Sequence, residues 1–239
     1  MNIIDLEKEQ EFIENYIYRY SNERINKNRE PITDGIINIK KYCKNKLKIC
    51  WILKEAYDNE YKKGNGGGWS LVHDFLINDN YINVIKHPTW QGIIYTTYCI
   101  LMNRSYYDVD YIRDNIEMAN VIENIAVINI NKMPAKQIQS SPENIVKKEY
   151  EYWRPLLHWQ LKQYKPNILI FGNTFQHFQK DLYIKNNIIK KNGDTKYVIK
   201  NDILYIKAKH PSNRSSRDKY VNEINDIVKK YMRAMGHVT

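Results

Sequence analysis

Short apolar runs alternate along this chain with longer segments whose apolar residues recur every three or four positions. The runs LKICWIL (47–53), IAVINI (125–130) and ILIF (168–171) are continuous and of strand length, the pattern of strands buried on both faces. Residues 196–200 and 203–208 flank Asn201-Asp202 and predict a hairpin. Helical spacing appears over 5–28, with Phe12, Ile13, Tyr16, Ile17 and Tyr20 on one face, and again in a last helix carrying Tyr220, Ile224, Ile227, Val228 and Tyr231. Residues 70–78 read as helix, and 90–120 as mixed helix and loop. Ser141-Pro142-Glu143 predicts a helix start with Ser141 as cap, and that helix runs to about Tyr164 with a kink or break at Pro155. Ser215 to Asp218 resembles a capping box. Strands alternating with helices predict an α/β protein: a single domain over 1–239, a mainly parallel central sheet flanked by helices, and an N-terminal helical extension over about 1–35.

The strands end in polar residues. KICWILKEAYD delivers Glu55 and Asp58, IAVININ delivers Asn129 and Asn131, ILIFGNT delivers Gly172 and Asn173, and LYIKAKHPSNRSS delivers His210, Pro211 and Ser212. Open α/β sheets bind ligands outside the carboxyl ends of their strands. Glu, Asn and His side chains at such ends describe a pocket rimmed by hydrogen-bonding groups, suited to a small polar ring such as a nucleobase.

These motifs resemble the uracil-DNA glycosylase superfamily, over roughly residues 47–230. Its first motif, of the type G-Q-D-P-Y-H or G-E-A-P-G, corresponds to Lys54-Glu55-Ala56-Tyr57-Asp58; its base-reading Asn to Asn129; its L-L-W-G or V-A-L-G strand to ILIFGNT; and its H-P-S-P motif to His210-Pro211-Ser212-Asn213-Arg214. GGGWS is similar to the G-L-C-F-S segment whose aromatic ring stacks on the flipped base, which makes Trp69 the stacking residue. The resemblance implies a monofunctional DNA glycosylase of base excision repair that hydrolyses the N-glycosidic bond of uracil or a modified pyrimidine. Glu55 or Asp58 would position water, His210 would stabilise the departing base, and Trp69, Asn129 and Tyr57 would bind it. Ser212, Asn213, Arg214, Ser215, Arg217 and Asn173 would contact DNA, with Arg214 at the gap left by the flipped nucleotide. Asp58, where the uracil-specific branch has Tyr, implies a pocket that prefers a polar group at C5 of the ring. Two alternatives remain open: a noncatalytic DNA-binding relative, and a small-molecule nucleoside or nucleotide hydrolase.

Composition adds a partner and removes cofactors. Thirty-seven Lys and Arg against 27 Asp and Glu give the 239-residue chain a net charge of +10, which favours a polyanion such as DNA. Cys43, Cys50 and Cys99 are scattered, so neither a disulfide framework nor the four-cysteine iron–sulfur cluster of one branch is expected. The histidines lack metal-ligand spacing, and no metal or other cofactor is expected. The polar amino terminus and the lack of a long apolar run point to no signal peptide, no membrane partner and a cytoplasmic monomer.

Overall fold

The computed structural model describes residues 3–22, 29–58, 66–73, 84–135, 141–213 and 216–236. Seven strands form one sheet: β1 (Gly35–Ile36), β2 (Ile49–Leu53), β3 (Ile125–Asn129), β4 (Ile168–Gly172), β5 (Lys190–Asn192), β6 (Thr195–Lys200) and β7 (Ile203–Ala208). Their order across the sheet is β1-β3-β2-β4-β7-β6-β5. The central four, β3-β2-β4-β7, are parallel; at the edges β1 pairs antiparallel with β3, β6 with β7 and β5 with β6. The mixed α/β class with a mostly parallel sheet agrees with the alternation in the sequence. The hairpin does too: Asn201 and Asp202 have φ of 49° and 60°, the two left-handed residues that a type I′ turn requires.

Helices cover both faces. Helix α3 (Pro88–Leu101), helix α6 (Arg217–Ala234) and the 3-10 segment Ile116–Asn124 pack on Trp51, Leu53, Val127, Ile170 and Ile206. Helices α1 (Ile3–Ser21), α2 (Ile39–Lys44), α4 (Glu143–Tyr164) and α5 (Phe175–Phe178) pack on Cys50, Ile52, Ala126, Ile128 and Phe171. Strands β2, β3 and β4 are buried along their whole length because their alternating side chains feed two separate cores. Among the described residues, no helix is long and apolar enough to cross a membrane.

Several local expectations are corrected. The described part of the first helix is α1, and residues 23–28 lie outside the described residues. Its buried stripe is Leu6, Gln10, Ile13, Ile17 and Ser21, not the aromatic set. Phe12 stacks on Trp159 and Tyr16 on Tyr20 at the rim of that contact, with Phe12 and Tyr20 exposed. Residues 71–73 form a turn, and the rest of the helix expected to 78 lies outside the described residues. Helix α4 runs unbroken through Pro155, because Val146, Tyr150, Trp153, Leu156, Leu157 and Gln160 bury one stripe on both sides of the proline. Its cap is Pro142, not Ser141. Ser216 caps α6 without a side-chain cap bond, and Asp218 instead accepts from the Tyr107 hydroxyl at 2.8 Å. Edge strand β1 was not expected at all; its two residues follow Pro31 and carry no periodicity.

Candidate functional site

The parallel strands run in chain order second-first-third-fourth across the sheet, so the direction of winding reverses between β2 and β4. Open sheets of this winding bind ligands outside the carboxyl ends of their strands, at such a switch point. The segments leaving the strands stay side by side there. Ile130 N donates to Leu53 O, Asn131 N to Lys54 O and Ala135 N to Ala56 O, at 2.8–2.9 Å. Asn173 N donates to both Phe171 O and Ala208 O, which ties the ends of β4 and β7. Asn173 holds the left-handed φ of 63° this turn needs, and its side chain is exposed.

Pro211 seats the His-Pro-Ser turn. A side chain at Gly172 would lie 3.0 Å from Pro211 Cδ and 2.9 Å from Leu53 Cδ2, and one at Gly92 would meet the Pro211 backbone. Both glycines are therefore required for close approach. The turn fixes His210 chemically. Backbone N–H of Ser212 points at His210 Nδ1 at 3.3 Å, and Ser212 Oγ lies 2.8 Å from the same nitrogen. A backbone N–H can only donate, so Nδ1 accepts and the imidazole proton sits on Nε2. Burial, with the Lys54 ammonium adding to it, pushes His210 down to about 4. At neutral pH the ring is an uncharged donor through Nε2.

Asn129 ends β3, in register with Leu53 of β2. Its alternation with Ile125 and Val127 puts its side chain on the α3 face of the sheet. The residue is 2% exposed, and its amide oxygen is buried without a hydrogen-bond partner. Its backbone N–H donates to Asp34 Oδ2 at 2.7 Å. Asp34 and Lys132 form a fully buried ion pair at 2.7 and 2.8 Å, to which Gln160 of α4 contributes both its amide nitrogen (2.9 Å) and its oxygen (3.1 Å). Burial pulls the Lys132 ammonium down, and Asp34 opposes that shift. The charges are paired and their remaining valences satisfied, as buried charges must be. No pattern in the sequence marked Asp34, Lys132 or Gln160.

The two candidate carboxylates have separate partners. Glu55, 8% exposed, accepts Ser141 N at Oε1 (3.0 Å) and Ser141 Oγ at Oε2 (2.7 Å). Ser141 therefore serves Glu55 rather than the helix, and Lys54 Nζ lies 3.5 Å from Ser141 O. Asp58 Oδ2 accepts Gly67 N at 2.9 Å and Trp69 Nε1 at 2.7 Å. Trp69 is half-buried against the α3-side core, and Thr33 N donates to its carbonyl at 3.3 Å. Tyr57 points largely to solvent, 45% exposed. Burial, with Glu55 second, raises its hydroxyl above the usual range.

The residues expected to hold DNA divide. Ser212 is spent on His210, and Asn213 N donates to His210 O at 3.0 Å. Arg214 and Ser215 lie outside the described residues. Arg217, expected at a phosphate, donates from its guanidinium to Gln91 Oε1 at 2.6 Å and sits 5.7 Å from the Tyr95 ring centre. It lies in the first turn of α6, which packs against α3 and so turns this side chain inward. Cys50 and Cys99 are buried and Cys43 half-buried, all as free thiols. The sequence matches no protein-family model and no curated protein.

Proposed function

We propose that this chain is a DNA glycosylase of the uracil-DNA glycosylase type, with a fold of that kind, acting on a pyrimidine turned out of DNA. Asn129 carries the reading. A buried amide oxygen without a partner is rare in a folded protein and calls for an explanation. A ring N–H of a bound base would satisfy it. The ring would stack on Trp69, an indole face of the kind that holds unpaired bases. His210 would donate from Nε2 to a ring carbonyl oxygen. As the C1′–N bond breaks, its electron pair leaves with the base, and the negative charge delocalises onto that oxygen. A neutral, fixed donor stabilises this charge without losing its own proton. The Lys54 ammonium adds a positive potential of the same sense. Water attacks C1′ and its proton ends on the expelled base, with Glu55 the carboxylate that orients it.

The competing reading, a DNA-binding relative without chemistry, draws on Glu55, both of whose oxygens already accept bonds from Ser141. Single-turnover release of uracil, thymine and 5-hydroxymethyl pyrimidines from single- and double-stranded oligonucleotides separates the two. The glycosylase reading expects release of at least one base, with His210→Ala slower by about 10²–10³-fold, the loss of one preorganised donor. It also expects Glu55→Gln to stop turnover and leave binding intact. Binding without release of any base favours the noncatalytic reading.

A further inference from the structure

We infer that Asp58 is a positioning residue for Trp69, and that the indole it holds, rather than its own carboxylate, forms the wall against the flipped ring. This rests on the function proposed above. Asp58 Oδ2 accepts the indole N–H at 2.7 Å and Gly67 N at 2.9 Å. A charged acceptor at this distance makes a strong hydrogen bond. The chain reaches it through Gly66, Gly67 and Gly68, with φ of 114°, 88° and 74°, a run that side-chain-bearing residues would not adopt. A Cβ on Gly66 would come within 2.8 Å of Asp58 Cγ, so the close seat of the carboxylate itself demands glycine. The backbone of Trp69 is fixed independently: Gly68 N donates to Pro31 O at 3.0 Å and Thr33 N to Trp69 O at 3.3 Å. With one end of the residue pinned to 31–33 and the far N–H of the ring pinned to Asp58, both side-chain torsions are set.

The sequence resemblance put residue 58 against C5 of the base. The bonds above give it a different job, because its Oδ2 already receives the indole N–H and the Gly67 N–H. Selectivity at this wall then follows the tilt of Trp69.

The test uses the full chain as wild type, Asp58→Ala, Asp58→Asn, Trp69→Phe and the Asp58→Ala/Trp69→Phe double variant. In ¹⁵N-labelled protein, the indole N–H resonance missing from Trp69→Phe identifies Trp69. Asp58→Ala should move that resonance upfield and speed its exchange with water, whereas Asp58→Asn, which retains an acceptor, should leave it close to wild type. Single-turnover release should fall in both Asp58→Ala and Trp69→Phe, by up to about tenfold, because each keeps an aromatic ring but loses its fixed tilt, less than the loss of a whole stacking contact. The double variant should be no slower than Trp69→Phe, since both changes remove the same thing. An indole resonance unmoved by Asp58→Ala, or losses that multiply in the double variant, would overturn the inference. So would a change in the 5-hydroxymethyluracil-to-uracil ratio on adding Asp58→Ala to Trp69→Phe, which would mean direct contact with the base. A wild type that releases no base would remove the glycosylase reading alone, because the indole resonance still decides whether Asp58 orients Trp69.

Discussion

His210 combines a fixed tautomer with a lowered pKa, and the two have one origin. The turn that buries the ring also aims Ser212 N–H at Nδ1. The shift makes a stability prediction. A histidine lowered to about 4 in the fold takes its proton first in the unfolded chain, where its ordinary value is 6.5. Stability should therefore be full above about pH 6.5 and fall as the pH drops toward 4. His177, lowered by burial, acts in the same direction. Urea denaturation between pH 7 and pH 4 checks this, and His210→Gln should flatten part of the slope; an unchanged slope would mean that the folded ring takes up its proton as readily as the unfolded one. The candidate His210 was legible in sequence because an apolar strand led straight into it. The partnership of Glu55 with Ser141 was not: the two are 86 positions apart, and Ser before Pro-Glu reads locally as a helix cap.

At the scale of elements, the β1–β3 edge is joined to α4 by polar groups that local sequence could not reveal. Asp34 precedes β1, Lys132 follows β3 and Gln160 lies on α4, so the cluster exists only when three distant segments meet. Removing one charge would leave the other buried and unpaired. Lys132→Met should cost about 3–5 kcal/mol, measured by urea denaturation. Lys132→Met combined with Asp34→Asn should recover part of the loss, and a small effect of the single change would mean that water reaches the pair. The same cluster accepts the Asn129 backbone N–H, so under the proposed function the double variant should also bind oligonucleotide less well even where it folds. Helix α4 carries a related lesson. Pro155 predicts a break locally, yet the buried stripe on either side outweighs the one backbone hydrogen bond that proline removes.

Across the whole molecule, the charge is unevenly spread. The net +10 coexists with an acidic first helix, in which Asp5, Glu7, Glu9, Glu11 and Glu14 face only Lys8 and Arg19. The remainder of the chain is therefore more basic than the total suggests. If DNA is the partner, the affinity for a duplex should fall steeply with salt, the logarithms being linearly related. Arg217→Ala should leave that slope unchanged, because the guanidinium is spent on Gln91 and Tyr95, and should instead lower stability by about 1–2 kcal/mol. Fluorescence anisotropy across a salt series, with thermal melts of the variant, distinguishes these outcomes; a shallower slope would return Arg217 to the phosphate contacts.

The α/β class, the four parallel strands, the hairpin at Asn201-Asp202 and the polar strand ends were all determined by local pattern. A fully buried strand needs a continuous apolar run, and a type I′ turn needs residues that tolerate positive φ. Tertiary structure decided which side chain serves which. It gave Ser141 to Glu55, Trp69 to Asp58, Gln91 to Arg217, and the Asp34–Lys132 pair to the backbone of Asn129. Each partnership joins groups whose separation along the chain, or whose single short hydrogen bond, leaves no periodic trace. A hydrogen bond depends on distances set by how strands and helices pack, and hydrophobic periodicity carries no record of those distances.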